Sequence, residues 1–343
     1  GFLVDALRLI APCKKQVVVG AHYLTFDLQC LLAPFLPVLK AQLPDTGRAP
    51  RHICLQVNGA RINAFLGKPC FARIRLSKRY TVLFVDTWAF FTMGLDAALV
   101  MLESVFRKLP TPKDLGDIQL PLGVALPYCQ RDAEGAAYLM GKIVNQHRVQ
   151  NIPLCISAPQ FSGRVFRRHY LTKSFPKPRF INRLVSMLSY HGGKNICRVP
   201  AGWYQCTELD IRSAYPEAMT QLPAFEEGKY AWGDGMDFLR KYPDGIYCVT
   251  GHYTGCPYGL LFQDTFKPYP PGPVRAAWLT GYEVLEGMAW GHLIVSVVGG
   301  YACTTPARSP SFSRFVLDLW AKRQRSKTPG ENYWWKLLLN SVY

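Results

Sequence analysis

The chain has 343 residues, 49% of them hydrophobic, so it can bury more than one core and is not disordered. Forty basic residues against twenty-three acidic ones give a net charge of +17, which favours a polyanionic partner, either nucleic acid or an anionic membrane surface. Eleven cysteines with no Cys-x-x-Cys pair and no secretory leader favour free thiols in a reducing compartment of a host cell (cytoplasm, nucleus or mitochondrion) over a disulfide framework or a zinc site.

Strands and helices alternate in the first part of the chain. The predicted elements are buried strands over residues 16–19 and 80–85 and a helix over residues 128–149. Residues 27–43 have the apolar spacing of a helix, but Pro34 and Pro37 should break or kink it. We therefore expect an α/β domain over residues 1–150.

The most apolar long stretch of the chain is residues 82–102. Asp86 and Asp96 interrupt it, which favours a buried strand followed by a helix over a membrane span. We expect no membrane partner.

A connector and a second α/β region are predicted beyond residue 150. Residues 152–179 are rich in Pro and Arg and indicate a connector. The elements predicted after it are a short helix ending at residue 190, strands over 206–211, 247–253 and 293–298, and an exposed loop over 267–273. Two helical patterns, residues 313–325 and 333–343, flank Thr328-Pro329-Gly330 and predict an antiparallel helical hairpin.

Basic and aromatic residues alternate in a stretch without acidic residues, from position 135 to position 207. The basic residues are Lys142, Arg148, Arg164, Arg167, Arg168, Lys173, Lys177, Arg179, Arg183, Lys194 and Arg198. The aromatic residues among them are Phe161, Phe166, Tyr170, Phe175, Phe180 and Tyr190. Such a surface suits phosphate neutralisation and base stacking, and a solvated basic face is the alternative.

A first motif points to nucleotide chemistry. Residues 207–216 read Thr-Glu-Leu-Asp-Ile-Arg-Ser-Ala-Tyr-Pro, with Asp210 at the end of a predicted strand. Nucleotidyl transfer needs carboxylates that hold two Mg²⁺ ions, because the metals neutralise the triphosphate and stabilise the attacking and leaving oxygens. Asp210 suits one such ligand. The alternative is a strand-end aspartate followed by an ordinary Tyr-Pro turn.

A second motif ends the sequence. Residues 336–343 read Lys-Leu-Leu-Leu-Asn-Ser-Val-Tyr. Lys336, Asn340 and Tyr343 lie at i, i+4 and i+7, so a helix would present a cation, an amide and an aromatic ring on one face. A basic amphipathic hairpin is the alternative.

Together these two motifs resemble the nucleotide-binding motifs of family B DNA polymerases. The resemblance implies that Asp210 binds both metals and that the carbonyl of Ile211 binds one of them. It places Ser213 and Ala214 near phosphate, and it places Tyr215 beneath the sugar, where the ring would exclude a 2′-hydroxyl. The implied cofactor is Mg²⁺, with Mn²⁺ as the alternative.

The resemblance also implies roles for the second motif. Lys336 would contact the incoming triphosphate, Tyr343 would border the nascent base pair, and Asn340 would support the pocket. The candidates for a second phosphate contact, on the preceding helix, are Lys322, Arg323 and Arg325.

Two earlier segments resemble the second and third motifs of the 3′–5′ exonuclease in the same polymerases. They are His-Tyr-Leu-Thr-Phe-Asp at residues 22–27 and Tyr-Cys-Gln-Arg-Asp at residues 128–132. The resemblance implies that Asp27 and Asp132 are metal ligands and that the Tyr128 hydroxyl orients the attacking water. A plain surface helix is the alternative for the second segment.

Two further segments imply contacts with DNA. Asp-Thr-Trp-Ala-Phe-Phe, residues 86–91, looks like the short motif that holds the primer end, so Thr87 and Trp88 would contact the strand. A strand end that runs into a buried helix is the alternative. Tyr190, Gly192 and Gly193 form a Tyr-x-Gly-Gly element that resembles one contacting the template backbone, and a plain glycine turn is the alternative.

The resemblance covers the chain from His22 to Tyr343 and implies an α/β multidomain fold. The expected order is a ribonuclease H-like 3′–5′ exonuclease domain (1–150), a basic connector (151–204), a partial α+β polymerase palm with an insertion (205–310) and a helical-hairpin fingers segment (311–343). The arrangement is most like the protein-primed polymerases of phages, adenoviruses and linear plasmids, with cellular-type family B enzymes as the alternative.

The implied function is DNA-directed DNA synthesis with proofreading. The expected partners are primer–template DNA, deoxynucleoside triphosphates and a terminal protein primer. Because the chain starts at Gly1 and stops inside a motif, we expect an internal piece of a longer protein, with one exonuclease motif before it and a third polymerase motif after it. The alternatives are a noncatalytic DNA-binding relic of a polymerase and an exonuclease alone.

Overall fold

Two compact units make up the chain in the computed structural model. Unit 1 comprises Gly1–His169 and Asp318–Tyr343, and unit 2 comprises Tyr170–Leu317. The residues that the structure describes are 16–33, 52–57, 59–110, 121–177, 179–190, 202–207, 210–211, 213–255 and 270–342. Within those ranges, no helix combines the length and apolar character needed to cross a bilayer.

A five-stranded sheet forms the core of unit 1. Its strands are β1 (Gln16–Ala21), β2 (His52–Val57), β3 (Ala60–Phe65), β4 (Phe71–Arg75) and β5 (Thr81–Asp86), in the order β1-β5-β4-β3-β2. β1 runs parallel to β5, and the remaining pairs are antiparallel. Alternate residues of β3 are buried, as expected for a strand with one face on the core.

Four helices accompany this sheet in the described part of unit 1 before residue 170. They are α1 (Leu24–Leu32), α2 (Leu95–Met101), α3 (Leu122–Val149) and α4 (Ala158–His169). In α1, leucines at every fourth position (24, 28 and 32) are buried, so the helix covers the sheet with one apolar stripe. α3 packs against β1.

Unit 2 contains a four-stranded antiparallel sheet, ordered β6-β9-β7-β8. The helices described there are α5 (Phe180–Leu188), α6 (Ala214–Thr220), α7 (Gly235–Lys241) and α8 (Gly281–Ala289), and the strands are β6 (Tyr230–Gly233), β7 (Ile246–Tyr253), β8 (Gly272–Thr280) and β9 (Leu293–Cys303). Thr280 begins α8 with a capping box, because its side chain accepts from the Glu283 amide while the Glu283 carboxylate accepts from the Thr280 amide.

The last two helices are α9 (Pro310–Gln324), which begins in unit 2 and ends in unit 1, and α10 (Pro329–Asn340), which belongs to unit 1. Aromatic packing holds α10 in place. Phe91 lies between Tyr333 and Trp334, with ring centroids 5.7 and 5.4 Å away. The Tyr333 hydroxyl donates to the Phe90 carbonyl at 2.7 Å, and the Ser162 hydroxyl donates to the Leu338 carbonyl at 2.6 Å.

Most predicted elements are confirmed. The strands expected at 16–19, 80–85, 247–253 and 293–298 and the helices expected at 128–149, 313–325 and 333–343 are present with shifted ends. The helix expected before residue 190 is α5, and the stretch 82–102 is indeed a strand followed by a helix. The last helix starts early because Thr328 caps it, accepting a hydrogen bond from the Glu331 amide, and Pro329 suits the first turn. Of the predicted helix over 27–43, only the part up to residue 33 lies within the described residues.

Two expectations about local structure are wrong, and the predicted connector contains a helix that was not predicted. Residues 152–179 are not merely a connector, because they contain α4, in which Phe161 and Val165 are buried one turn apart. The described residues of the segment 206–211 form no strand. Gly272 and Pro273 do not lie in the loop but pair with Tyr253 and His252 at the start of β8, an edge strand, where proline is tolerated.

Candidate active site

The parallel pair β1 and β5 creates an edge at which polar residues gather. Ala21 lies opposite Asp86 in the ladder, so the residues that follow both strands emerge side by side. His22 Nδ1 lies 3.0 Å from Thr87 Oγ1, and His22 Nε2 lies 2.9 Å from the Met93 carbonyl oxygen. Burial lowers the pKa of His22, which favours the neutral imidazole.

Asp86 fixes the backbone at this edge. Its buried carboxylate accepts hydrogen bonds from the backbone amides of Tyr23 at 3.1 Å and Trp88 at 3.0 Å. The first bond holds Tyr23 in a left-handed conformation, φ 65°, from which α1 starts. Burial raises the pKa of Asp86, and the backbone hydrogen bonds oppose that shift. Asp86 therefore positions α1 and, with it, Asp27.

A close approach between α3 and β1 brings the second aspartate to the same edge. A Cβ atom on Gly20 would stand 2.6 Å from Cβ of Met140 and 3.3 Å from the Ala136 carbonyl oxygen, so only glycine permits this packing. Ala136 and Asp132 lie one and two turns before Met140 on the same face of α3. The helix therefore carries Asp132 to the carboxyl end of β1.

Asp27 and Asp132 line one cavity of about 560 Å³, together with His22 and Lys108. Oδ2 of Asp132 lies 3.5 Å from Nζ of Lys108. Oδ1 of Asp132 is buried and has no hydrogen-bond partner among the described residues. Burial, and then the charge of Asp86, raises the pKa of Asp27. The cavity thus holds two carboxylates, of which Asp27 is disfavoured in its charged form by burial, and a cation beside Asp27 would relieve this.

Tyr128 and Lys108 stand beside these carboxylates. Tyr128 is buried, and Nζ of Lys108 lies 5.3 Å from the centroid of its ring. A side-chain hydrogen bond with Tyr128, followed by the charge of Asp132, raises the pKa of Lys108. Sequence reasoning missed Lys108 because it belongs to neither exonuclease-like motif and reaches the cavity only through the tertiary fold.

The donor set suits a hard divalent cation in part. Carboxylate oxygens are the ligands that Mg²⁺ prefers, and the unpaired Oδ1 of Asp132 is available for one. However, within the described ranges no group of three or more His, Cys, Asp or Glu side chains is arranged to hold a metal ion. Asp27 and Asp132 therefore fit as two ligands of a site that needs further donors.

Aromatic side chains border the same edge. The rings of Tyr23 and Trp88 lie 5.6 Å apart, and Nζ of Lys68 lies 4.5 Å from the Trp88 centroid. Tyr23 is 55% exposed, so its ring is accessible. Thr87, in contrast, is fully buried, and its hydroxyl donates to the Ala21 carbonyl at 3.1 Å.

The Asp210 segment lies in unit 2 and is exposed. Ile211 is 79% exposed and Tyr215 is 60% exposed. Ser213 adopts a left-handed conformation, φ 56°, directly before α6, which Ala214 begins. Glu208, Leu209 and Arg212 lie outside the described residues.

The second predicted motif lies on α10 in unit 1. Lys336 and Asn340 are exposed and one turn apart, as expected, whereas Tyr343 lies outside the described residues. Of the candidates on α9, Lys322 pairs with Asp318 at 2.9 Å and lies over the Trp335 ring. Arg323 Nε donates to Oδ1 of Asn332 at 3.4 Å, and Arg325 is exposed.

Tyr190 follows α5 and is 73% exposed, while Gly192 and Gly193 lie outside the described residues. The structure thus brings Asp27 and Asp132 together in unit 1, with Tyr128 one turn before Asp132 on α3, and it carries Asp210 in unit 2.

Comparison with known proteins places this geometry in context. No protein-family model matches the chain, and no curated protein matches it in sequence. Among solved structures, it is similar to Phi29 DNA polymerase complexed with single-stranded DNA, with a TM-score of 0.64 and 16% identity over 96% of this chain and 58% of that one.

Two further structures of Phi29 DNA polymerase cover the same shares of both chains. One is the complex with primer–template DNA (TM-score 0.61, 16% identity) and the other an orthorhombic crystal form (TM-score 0.59, 17% identity). Phi29 DNA polymerase is a protein-primed family B polymerase. Identity this low shows the fold alone. The chain therefore has a mixed α/β, polymerase-related fold, and the resemblance expected from the motifs is confirmed at the level of the fold.

Proposed function

We propose that this chain is part of a family B DNA polymerase that extends DNA by two-metal nucleotidyl transfer and proofreads with a 3′–5′ exonuclease. The observation that carries the proposal is the convergence of Asp27 and Asp132 on one cavity, lined also by Lys108, whose Nζ lies over the Tyr128 ring, within a fold like that of Phi29 DNA polymerase. The chain spans 58% of the length of that polymerase, so the activity is proposed for the whole protein.

For the exonuclease, we assign the cavity beside β1 to the scissile end of a DNA strand. Asp27 and Asp132 would hold a divalent cation, Mg²⁺ or Mn²⁺, which activates water and stabilises the leaving oxygen when bound. Tyr128 would orient the attacking water. Lys108 neutralises Asp132 in this structure and is available to pair with a phosphate oxygen instead.

Tyr23 and Trp88 would support the terminal base of that strand, because aromatic faces accept any base by stacking. Thr87 would act by holding the edge together, since its hydroxyl bonds to the Ala21 carbonyl. The neighbouring structure of Phi29 DNA polymerase with single-stranded DNA supports DNA as the partner.

For the polymerase, Asp210 and the carbonyl of Ile211 would bind metal, and the exposure of both suits a site completed by substrate. Ser213 and Ala214 would lie near the triphosphate. Tyr215 would lie beneath the sugar.

Lys336 and Asn340, exposed on α10, would face the incoming nucleotide together with Tyr343, and one of Lys322, Arg323 and Arg325 would add a phosphate contact. Tyr190, Gly192 and Gly193 would contact the template backbone. Domain bounds at 1–150, 151–204, 205–310 and 311–343, priming by a terminal protein and a reducing compartment of a host cell belong to the same proposal.

Paired variants of the full-length protein test both activities. In Asp210→Ala, extension of a primed template with deoxynucleotides and Mg²⁺ should fall by more than about a hundredfold, because a metal ligand contributes several kcal/mol to the transition state. Degradation of a single-stranded oligonucleotide should persist. In Asp132→Ala, degradation of the single-stranded oligonucleotide should fall and primer extension should persist. Asp237→Ala, which removes an exposed carboxylate on α7, is the matched control.

The noncatalytic relic predicts a different result. If the wild-type protein binds primer–template DNA but neither extends nor degrades it, the relic is correct. Extension that survives in Asp210→Ala would show that the polymerase site lies elsewhere, and degradation without any extension would indicate an exonuclease alone.

A further inference from the structure

A second cavity, of about 770 Å³, lies within unit 2. One wall comes from β6 and β9, and the other comes from α5 and the segment before it. None of its lining residues belongs to the polymerase-like or exonuclease-like motifs. The cavity is called the β6–α5 cleft below.

Aromatic rings form the sheet side of the β6–α5 cleft. Tyr230 and Tyr301 stack with ring centroids 5.3 Å apart and planes 12° apart, and Trp232 lies 5.5 Å from Tyr301. Trp232 is 47% exposed, so part of the indole remains open to a further ring. Burial raises the pKa of Tyr230 to about 12 and that of Tyr301 above its ordinary value, so both phenols stay neutral. This wall offers stacking surface without negative charge.

Cations form the opposite side. Lys177, Arg179 and Arg183 line the cleft and are exposed. Among the described residues, none of the three forms an ion pair. Asp244, the acidic residue in the lining, forms an ion pair with Arg308, whose guanidinium lies 3.7 Å from a carboxylate oxygen of Asp244. The cleft therefore has positive charge available for an anion.

Asn182 connects these two sides. Its side chain lines the cleft, is only 7% exposed and makes a hydrogen bond with Tyr301. Its Oδ1 atom is buried without a hydrogen-bond partner in the part of the chain that the structure describes. The hydrogen bond with Tyr301 joins α5 to β9 and helps to fix the Tyr301 ring in the aromatic wall.

We propose that the β6–α5 cleft binds single-stranded DNA. One base stacks on Trp232, and the flanking phosphates lie against Lys177, Arg179 and Arg183. A duplex does not fit this chemistry, because its base faces are covered by neighbouring pairs. An acidic peptide would use the cations but would leave the aromatic wall without a partner.

The cleft volume of about 770 Å³ lies within the range of small-molecule pockets, about 300–1,000 Å³, and is enough for one or two nucleotides. The inference rests on the proposed function in one respect, that DNA is the polyanion this protein meets. It does not depend on catalysis at Asp210.

Binding of a fluorescein-labelled oligothymidylate to the 343-residue chain, followed by anisotropy in EDTA without nucleotides, tests the proposal. Trp232→Ala should raise the Kd about tenfold through lost stacking, and Trp232→Phe should restore most of the affinity. The matched control is Trp290→Ala, which truncates a tryptophan that is 69% exposed elsewhere in unit 2 and should leave the Kd unchanged.

The phosphate contact has its own test. Arg183→Ala should weaken binding and should reduce the magnitude of the slope of log K against log salt by about 0.7, the value for one phosphate of a single strand. Arg240→Ala, on α7, removes an exposed arginine that pairs with Asp237 and should change the slope less. Photo-crosslinking of an oligonucleotide that contains 5-iododeoxyuridine should map to Trp232, Tyr230 or Tyr301.

Wild-type affinity in both Trp232→Ala and Arg183→Ala, or crosslinks confined to other segments, would overturn the proposal. Displacement of the oligonucleotide by a poly-glutamate peptide at equal charge would overturn it in favour of an acidic peptide. The assay contains neither metal nor nucleotide, so it measures binding in the absence of catalysis. Failure of the polymerase proposal would therefore leave this result unaffected.

Discussion

The cavity beside β1 and the Asp210 segment each carry an aspartate expected to bind metal, but their surroundings differ. Asp132 lies on α3, a 28-residue helix that packs against β1, and its Oδ1 is buried without a hydrogen-bond partner among the described residues. Asp210 is exposed, and both neighbours on its N-terminal side lie outside the described residues. The first aspartate is positioned by the core of its own unit, so mutations in that core should disturb it, whereas Asp210 should respond mainly to its substrate and metal.

Phe91→Ala should disturb the core that positions Asp132 more strongly than any other variant proposed below. Phe91 is fully buried and contacts Tyr333 and Trp334 of α10. Truncation of such a ring costs about 3–5 kcal/mol of the free energy of unfolding, because it leaves a cavity as well as losing burial. Denaturant unfolding of the chain would measure this loss, and degradation of single-stranded DNA should fall with it.

The control for that prediction is Phe180→Ala. Phe180 is 81% exposed at the start of α5, so its truncation should change stability by less than about 0.5 kcal/mol. Equal losses in the two variants would show that burial of Phe91 does not govern the stability of unit 1.

Gly20→Ala should have the next largest effect. The added methyl group would meet Met140 at 2.6 Å, so α3 must shift away from β1. Overpacking of this kind costs about 1–3 kcal/mol, and it should displace Asp132 from Asp27. We expect a lower Tm and weaker exonuclease activity, with primer extension retained.

Gly141→Ala provides a control in the same helix. A Cβ atom there has nothing within 4 Å, so alanine should stabilise α3 by about 0.5–1 kcal/mol through its higher helix propensity. A Tm that rises in both variants would contradict the close approach of α3 to β1.

These glycines show where sequence reasoning succeeds and where it ends. The period of apolar residues predicted β1, β5 and α3, because each buries a face against the core. Motif resemblance predicted that Asp27 and Asp132 act together, and the structure does place both in one cavity, although their role as metal ligands stays a prediction. The need for glycine at position 20 could not be predicted, because it depends on a partner more than a hundred residues away.

Other elements that the sequence analysis missed have a recognisable pattern of apolar residues. The three antiparallel strands between residues 52 and 75 alternate buried and exposed positions, a period of two that indicates strands even with Arg61 and Arg73 on the outer face. In α4, Ala158, Phe161 and Val165 follow helical spacing, which the prolines and arginines of the stretch obscured. Lys108 had no such signal.

Asp132→Asn should weaken metal binding without unfolding the chain. Calorimetric titration with Mn²⁺ should show at least about tenfold lower affinity than wild type, because a charged oxygen donor is lost. The Tm should change little, because the ion pair of Asp132 with Lys108 that the substitution removes is partly exposed. Asp237→Asn is the control and should titrate as wild type does.

The same titration should depend on pH. Burial and the charge of Asp86 raise the pKa of Asp27, so protons compete with the metal from a higher pH than at an ordinary aspartate. Affinity should therefore fall as the pH is lowered from neutrality. A pH-independent affinity, or unchanged binding in Asp132→Asn, would remove the cavity beside β1 as the metal site.

The smallest effect should come from His22. Burial lowers its folded-state pKa below the ordinary value of 6.5, so the unfolded chain binds a proton that the folded chain resists. The contribution of His22 to the free energy of unfolding is therefore complete above pH 6.5 and declines as the pH falls through that value. The loss is less than about 1 kcal/mol, because the imidazole is only partly shielded from solvent. His147, buried and also with a lowered pKa, adds a similar decline, so His22→Gln should reduce the pH dependence of Tm between pH 7 and 5.5 without abolishing it. An unchanged pH dependence in His22→Gln would mean that the edge beside Thr87 accommodates a charged imidazole.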